Sequence, residues 1–328
     1  MNKLRILYSG RFKQGTLLPD IARMVNYSHP EVEFIPYNDG ESKGDILMEF
    51  NATKAKSKEG MRRLVFIGSI PSLMKRNNIG NWDKVDHVFY ISDFCKNIVE
   101  ASFKSKQNSS HLLFGGLPSD DDMQPLMNHR EIDGPIQFLA VAKWYKRPYK
   151  RLNQIVKLYR DYLKVEYPDS ILNVIGVKTE YVDDGVYYYR KTFHNPSIID
   201  IFKNSHIQLI PTPFDTGPKT ISESLHYRVP FVCSNNCAGK EYINKLGKCG
   251  IDIETDPFID SHEKYKLHKP LNVQGKKKFH KNPIPYEKYF EAVRGIVNNF
   301  KEYTSWEWNE KFNYEDQSDQ LYNMLKGN

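Results

Sequence analysis

Two carboxylates, Asp215 and Glu223, lie eight residues apart in the stretch "PTPFDTGPKTISESLHYRVP", residues 211–230. A carboxylate that accepts hydrogen bonds from two neighbouring hydroxyls can hold a ribose or hexose diol. Two such acids could each bind one sugar of a nucleotide-sugar. The simpler interpretation is that Glu223 is a surface helix residue and that Asp215 is a loop acid favoured by the helix dipole.

The residues between the two acids predict an anion site. Gly217 and Pro218 separate the apolar run "HIQLIPT", which predicts a strand, from the helical pattern "TISESLHY". The helix is expected to begin near Lys219 or Thr220. Backbone N–H groups in the first turn of a helix have no partner within the helix, so they can bind phosphate oxygens.

The elements around this stretch predict an α/β protein of two domains. The first 130 residues alternate strand-like and helix-like segments, which is typical of a parallel sheet covered on both faces. A polar stretch ending at "DGP" predicts a linker, and the alternation restarts at "IQFLAVAK". We expect a Rossmann-like first domain at 1–130, a second at 131–300, and a terminal helix at 301–328 that packs back on the first.

Composition narrows the class of protein. The chain has 328 residues and a net charge of +7, which favours an anionic partner. Its apolar runs are of strand length, and its amino terminus lacks the features of a signal peptide, so we expect a cytoplasmic protein without a transmembrane segment. The four cysteines do not have the spacing of a zinc site, and reduced thiols are expected. The basic run "KAKSKEGMRR" at 54–63 is interpreted first as a solvated face.

A glycine-containing loop follows the first predicted strand. "GRFKQGT" begins at Gly10 and has the glycine spacing of a P-loop, but Thr16 follows Gly15 where that motif requires a lysine. An ATPase or kinase is therefore excluded, and a tight turn is the simpler interpretation. Because ligands of α/β proteins bind beyond the carboxyl ends of the strands, Gly10 and Gly15 remain candidates for donor contact.

The second predicted domain resembles the donor half of GT-B-type retaining glycosyltransferases of family 4. In "FLAVAKWYKRPYKRLNQIVKLY", Lys143 matches a basic residue at the end of a strand, and Lys150 matches a lysine at the start of a helix. Both hold the donor diphosphate in that family, and Arg151 is adjacent. The segment between them is longer than usual, so Lys146 or Arg147 could take either role.

Two further blocks carry the resemblance. "LNVIG" and "YYYRKTFHNPSIIDIFKNSHIQLIP" match the strand, base-binding loop and helix that precede the acid motif, which places His194 and Asn195 in the base-binding loop. The stretch quoted above matches the family's two acids, of which the first contacts the transferred sugar and the second the ribose. Three differences stand out: Asp replaces Glu at 215, Arg228 replaces a common Gly, and "LVFIGSIPSL" lacks the His of many relatives.

The resemblance implies two Rossmann-like domains facing a cleft, with a C-terminal helix crossing back to the first. It implies a hexosyl- or pentosyltransferase with Asp215, Lys150 and Lys143 as catalytic residues. Glu223, Gly217, Pro218, Lys219, Thr220, Arg151, His194 and Asn195 would bind the donor, with UDP or GDP as the expected nucleotide. No metal ion and no cofactor other than this substrate are expected.

The acceptor is open. A glycan or lipid-linked saccharide is preferred because it is the commonest acceptor in the family, and it allows peripheral contact with a membrane. The alternative is a DNA-modifying enzyme of virus or phage type, which would act in the host cytoplasm and bind DNA through the basic runs at 54–63 and 75–76. A catalytically silent sugar- or nucleic-acid-binding protein is a third hypothesis.

Overall fold

The protein is an α/β chain with two parallel sheets. The structure, a computed structural model, describes residues 3–9, 17–37, 43–51, 60–68, 82–102, 108–111, 130–144, 150–190, 196–217, 219–255, 283–307 and 314–327. The described residues up to His111, together with 314–327, form one compact unit. Those from Arg130 to Glu307 form the other.

The first unit contains a six-stranded parallel sheet. Its helices and strands up to His111 are β1 (Arg5–Ser9), α1 (Leu17–Ser28), β2 (Glu33–Pro36), β3 (Ile46–Phe50), β4 (Arg62–Ile67), β5 (His87–Tyr90), α2 (Asp93–Ser102) and β6 (Ser109–His111). The strand order is β2-β1-β3-β4-β5-β6. The order reverses between β1 and β3, as in other doubly wound sheets. The predicted alternation of strands and helices is confirmed.

A buried ion pair lies inside this sheet. Arg63 Nε and Nη2 on β4 both donate to Glu49 Oε2 on β3, at 2.9 and 2.6 Å. The neighbouring Arg62 donates from Nη1 to Leu325 O at 2.7 Å. Residues 54–59, 75 and 76 lie outside the described residues. Arg63 is buried, so for this residue the interpretation of the basic run as a solvated face or as part of a DNA groove is wrong. Arg62 is half-buried.

The second unit contains seven strands. Its elements are β7 (Gln137–Val141), α3 (Leu152–Leu158), β8 (Ile171–Val177), β9 (Tyr181–Asp183), β10 (Val186–Arg190), α4 (Pro196–Asn204), β11 (Ile207–Ile210), α5 (Lys219–His226), β12 (Phe231–Ser234), α6 (Gly239–Leu246), β13 (Gly250–Ile253), α7 (Tyr286–Asn298) and α8 (Phe300–Thr304). The helix α3 continues through a π-helical turn at Tyr159–Leu163 and ends at Glu166.

The topology of this sheet identifies the place where a ligand can bind. The strand order is β13-β12-β11-β7-β8-β10-β9, and every pair is parallel except β9 with β10. Without β9, this is the order of a Rossmann fold, with β7 as the first strand and β11 as the fourth. Successive strands are added on one side of β7 and then on the other. The crevice between the carboxyl ends of β7 and β11 is therefore the expected binding position.

Strands β9 and β10 form a hairpin that sequence reasoning missed. The block that begins at "YYYR" is matched to the base-binding loop and helix, without a strand of its own, but Val186–Arg190 is a strand that pairs with β8. Aromatic and β-branched residues are enriched in strands, so the run itself carried the signal. The hairpin turn at Asp184 and Gly185 uses positive φ angles of 49° and 77°.

The first and last described segments of the second unit are in contact. Arg130 N donates to Thr304 Oγ1, and Thr304 Oγ1 donates to Arg130 O, each at 3.1 Å. Arg130 Nη1 also donates to Ser205 O at 2.7 Å. Burial lowers the pKa of Arg130 to about 10. Burial and the Arg130 charge lower the pKa of the adjacent His206 to about 4, so this imidazole is neutral.

The last helix, α9 (Tyr314–Lys326), belongs to the first unit. It packs on α1, where the rings of Tyr322 and His29 stack at 3.7 Å and Ser318 Oγ donates to Val25 O. The helix predicted over 301–328 is thus not continuous, because α8 ends at Thr304. Trp306 remains in the second unit, with the Arg228 guanidinium 5.1 Å from its ring centre.

Candidate active site

The segment between β11 and α5 holds Asp215 in a fixed main-chain position. Asp215 N donates to Asn236 O at 2.9 Å, and Ala238 N donates to Asp215 O at 3.0 Å. Asp215 and Cys237 thus form a short parallel bridge beyond the ends of β11 and β12. Because the chain is tied on both sides of Asp215, its carboxylate has a defined position at the carboxyl edge of the sheet.

Lys150 and Asp215 form an ion pair at this edge. Lys150 Nζ donates to Asp215 Oδ2, and Gly217 N donates to Asp215 Oδ1 at 3.4 Å. The side chains retain 10% and 19% of their exposure. The pair is therefore largely sheltered but still reachable from solvent, which suits a site where an anionic ligand can replace one partner of the ammonium group.

Arg151 lies next to Lys150 but has a different position. Its side chain is buried, and Nη1 donates to Pro211 O at 3.2 Å, at the start of the loop that carries Asp215. Its main chain is left-handed, with φ of 65°. The structure thus places the guanidinium of Arg151 under the loop, where it supports the Asp215 segment.

Lys143 follows β7 by two residues, and β7 is the direct neighbour of β11 in the sheet. Its side chain is exposed. Gly176 on β8 supports this turn, because a Cβ atom at Gly176 would lie 1.8 Å from Ala142 O. Only glycine permits this approach at its φ of +107°. Gly176 was quoted within "LNVIG", but no role was assigned to it.

The helix α5 begins at Lys219, as expected. Ile221 and Leu225 are buried in the core, whereas Lys219, Thr220 and Glu223 are half-buried. Glu223 lies one turn into the helix. Its Oε2 atom is buried, although the residue as a whole is half-buried. The first turn of α5 therefore lies beside the Asp215 loop with its three polar side chains only partly covered.

Several predicted site residues lie outside the described residues. These are Gly10, Gly15, Lys146, Arg147, His194, Asn195 and Pro218. The described part of the site thus consists of the contacting residues Lys150, Asp215 and Gly217, with Lys143 on the adjacent strand end and Glu223 on α5.

The four cysteines are buried thiols, and none forms a disulfide. A hydrogen bond with Cys237 and burial raise the pKa of Cys233, and burial raises that of Cys249. Among the described residues, no group of three or more His, Cys, Asp or Glu is arranged to hold a metal ion. The helices in the described ranges are too short or too polar to cross a membrane.

The fold is that of GT-B glycosyltransferases. WaaG, a glycosyltransferase involved in lipopolysaccharide biosynthesis, matches with a TM-score of 0.60 over 99% of this chain and 98% of its own. The lipopolysaccharide outer core galactosyltransferase WaaB matches with a TM-score of 0.59 over 98% and 100%. Each is 12% identical to this chain, a level at which the likeness concerns the fold.

A third structure with this fold is an alpha-glucosyltransferase in complex with UDP-glucose and DNA containing an abasic site. It matches with a TM-score of 0.52 and 12% identity, over 98% of this chain and 100% of its own. No protein-family model matches the chain, and no curated protein sequence is significantly similar to it.

Proposed function

We propose that this chain is a glycosyltransferase that moves a hexose or pentose from a nucleoside-diphosphate sugar to an acceptor with retention. The observation that carries the proposal is the Lys150–Asp215 pair at the carboxyl edge of the second sheet. It lies where the strand order changes direction between β7 and β11, the position at which doubly wound sheets bind nucleotides. The fold shared with sugar-transferring enzymes supports the same conclusion.

Each side chain has a role that its chemistry suits. The Lys150 and Lys143 ammonium groups bind the diphosphate, together with N–H groups at the start of α5. Asp215 accepts hydrogen bonds from hydroxyls of the transferred sugar, and Glu223 accepts them from the ribose. Lys150 can contact Asp215 before the donor arrives and phosphate afterwards, because an ammonium group has three donors on a flexible stem.

The chemical step breaks the bond between the anomeric carbon and the β-phosphate oxygen. The electron pair stays on that oxygen, so negative charge grows on the leaving nucleoside diphosphate. An acceptor oxygen forms the new bond to the anomeric carbon, and its proton passes to the leaving β-phosphate oxygen. Lys150 and Lys143 stabilise the growing charge, and fixed groups of this kind make large contributions to catalysis. We propose that these lysines supply the positive charge without a metal ion.

A glycan or lipid-linked saccharide is the proposed acceptor. Arg63 is buried in an ion pair with Glu49, which removes it from the basic surface that a DNA acceptor was expected to use. Enzymes with both acceptor classes share this fold: WaaG is named for lipopolysaccharide biosynthesis, and the alpha-glucosyltransferase is described with DNA. The experiment below therefore compares both classes of acceptor.

The test measures release of nucleoside diphosphate from UDP-, GDP-, ADP-, CDP- and TDP-sugars, with EDTA present. Wild type is compared with Asp215→Asn, which keeps the shape of the side chain and removes its charge. The matched control is Asp169→Asn, which removes an exposed carboxylate that precedes β8. We expect selective release from one donor, a loss of roughly a hundredfold or more in Asp215→Asn, and no change in the control.

Nucleotide binding, followed by thermal shift, is expected to survive Asp215→Asn. Full release by this variant would contradict the proposed site, and no release from any donor by wild type would support a silent binding protein. Acceleration by DNA carrying a hydroxylated base would assign DNA as the acceptor. Acceleration by saccharide or lipid-linked acceptors alone would support the proposal.

A further inference from the structure

A second candidate site lies at the opposite edge of the second sheet from β13. The helix α3 with its π-helical turn and the β9–β10 hairpin line an open cavity of about 440 Å³. This volume falls within the roughly 300–1,000 Å³ of ligand pockets. The cavity begins at Leu152 and Asn153, directly after Lys150 and Arg151, and extends along the helix to Asp161.

One wall of the cavity is an aromatic platform. The rings of Tyr181 and Tyr188 stack at 4.0 Å with an interplanar angle of 13°. Tyr188 is buried, but Tyr181 is 50% exposed. The Tyr181 ring already stacks on the buried Tyr188, so a ligand that packs on the outer ring finds this side chain partly ordered. A single exposed tyrosine is ordinary on a protein surface, but this ring borders a cavity of ligand size.

The charged groups around the cavity are already matched. Lys157 pairs with Asp161 within the wall, and Arg160 Nη2 donates to Asp183 Oδ2 at 2.6 Å. A site for phosphate or for a nucleic-acid backbone needs an excess of positive charge. The balance of cations and anions here favours an electrically neutral ligand instead.

The polar groups suit a ligand with many hydroxyls. The Asn153 amide offers two donors and an acceptor, the Asp161 carboxylate accepts, and the Lys157 ammonium donates. A sugar ring presents hydroxyls at its rim and C–H groups on its face, and C–H groups pack well on the electron-rich face of an aromatic ring. A neutral saccharide therefore matches both walls of the cavity.

We propose that the cavity between α3 and the β9–β10 hairpin is a binding site for a neutral oligosaccharide, with one sugar ring on Tyr181 and its hydroxyls near Asn153 and Asp161. The inference does not rest on the proposed transferase activity, because binding here requires no donor. If both proposals hold, the cavity binds part of a glycan within reach of the turn that carries Lys150.

The test measures binding of maltotriose, cellotriose and triacetylchitotriose to the full chain without nucleotide, by saturation-transfer NMR and calorimetry. Tyr181→Ala removes the platform, and Tyr181→Phe keeps the ring. The matched control is Tyr27→Ala, which removes an exposed tyrosine of the first unit. We expect one trisaccharide to bind, with a Kd at least tenfold weaker in Tyr181→Ala and within about twofold of wild type in the other variants.

Other outcomes would overturn the inference. These are the absence of binding by all three trisaccharides, equal binding by Tyr181→Ala, or preferential binding of hexathymidylate, which would indicate base stacking. Donor hydrolysis is measured in parallel on the same variants. Loss of trisaccharide binding in Tyr181→Ala with unchanged hydrolysis supports this site, whereas failed hydrolysis with intact binding contradicts only the proposed function.

Discussion

The two units each contain a sheltered ion pair, and the two pairs differ in position and exposure. Arg63 and Glu49 lie within β4 and β3 and are each 1% exposed. Lys150 and Asp215 lie beyond strand ends and are 10% and 19% exposed. A pair sealed inside a sheet can only serve the fold, whereas a pair at the carboxyl edge can open to a ligand.

The two cations, Arg63 and Lys150, also differ in how easily they can change partners. Arg63 places two N–H groups on one carboxylate oxygen, and its main-chain N also donates to Asp86 Oδ2 at 2.6 Å. A planar guanidinium in such a contact has little freedom to change partners. Lys150 presents a compact ammonium group on a flexible stem. Position and residue type together therefore distinguish the structural ion pair from the candidate catalytic ion pair.

Removal of the Glu49 carboxylate is expected to have the largest effect. Glu49→Leu leaves the Arg63 guanidinium buried without its counter-charge, so we expect the free energy of unfolding to fall by about 3–5 kcal/mol. Urea unfolding with hydrogen exchange of β3 and β4 measures the loss. The double variant Glu49→Leu/Arg63→Met buries no charge and should be much less destabilised. Equal losses in both would contradict a structural ion pair.

Lys150→Met tests the other side of the comparison. We expect nucleotide release to fall by roughly 10²–10³-fold, because the leaving phosphate loses a fixed cation. The free energy of unfolding should fall by no more than about 1–2 kcal/mol, since Asp215 keeps the Gly217 N–H and access to solvent. Lys248→Met, which removes an exposed paired lysine, is the control. Strong destabilisation with intact release would give both pairs the same role.

His206 adds a titratable group that serves the fold at the amino ends of the second sheet. Its Nδ1 accepts a hydrogen bond from Gln137 N at 2.9 Å, and its pKa is lowered to about 4. The unfolded chain therefore binds the proton more tightly, so stability is retained above pH 6.5 and falls by roughly 3 kcal/mol as the pH falls to 4.

His206→Asn keeps an acceptor near Nδ1 and removes the titration. Urea unfolding between pH 4 and pH 7 should therefore show a shallower pH dependence in this variant than in wild type. The same slope in both proteins would assign the acid sensitivity to other groups.

Glu223→Ala is expected to have the smallest effect of the four. Loss of a charged acceptor for the ribose should weaken nucleotide binding by about 1.5–3 kcal/mol, or roughly tenfold to a hundredfold. Calorimetry with the nucleoside diphosphate measures this change. Asp215→Asn provides the contrast, because it should impair transfer and spare nucleotide binding. If both variants bound nucleotide like wild type, Glu223 would have no ribose contact.

The elements around the site were predictable because their signals are local. The apolar run before Pro211 ends a strand, Gly217 interrupts the pattern, and a helical period begins at Lys219. The contact between Lys150 and Asp215 is not local, since 65 residues separate them. The family resemblance assigned both residues to one donor site, on the diphosphate and on the transferred sugar, but it did not predict a contact between them.

One interpretation is wrong because it took a charged residue, Arg63, to be exposed. Arg63 ends a basic run, but its partner Glu49 lies 14 residues away on the neighbouring strand, so no local pattern marked Arg63 as buried. Arg228 was also unexplained where a Gly is common. The structure gives the reason: its φ of 56° is in the region that glycine favours, and its guanidinium lies against Trp306.

The reciprocal bonds of Arg130 and Thr304 join residues 174 positions apart in the chain. Among the described residues, the first and last segments of the second unit therefore lie side by side. Units whose ends meet tolerate circular permutation and transplantation. The second unit could thus be transferred into another scaffold by cutting the chain near 130 and 307, or it could be closed on itself with a short linker.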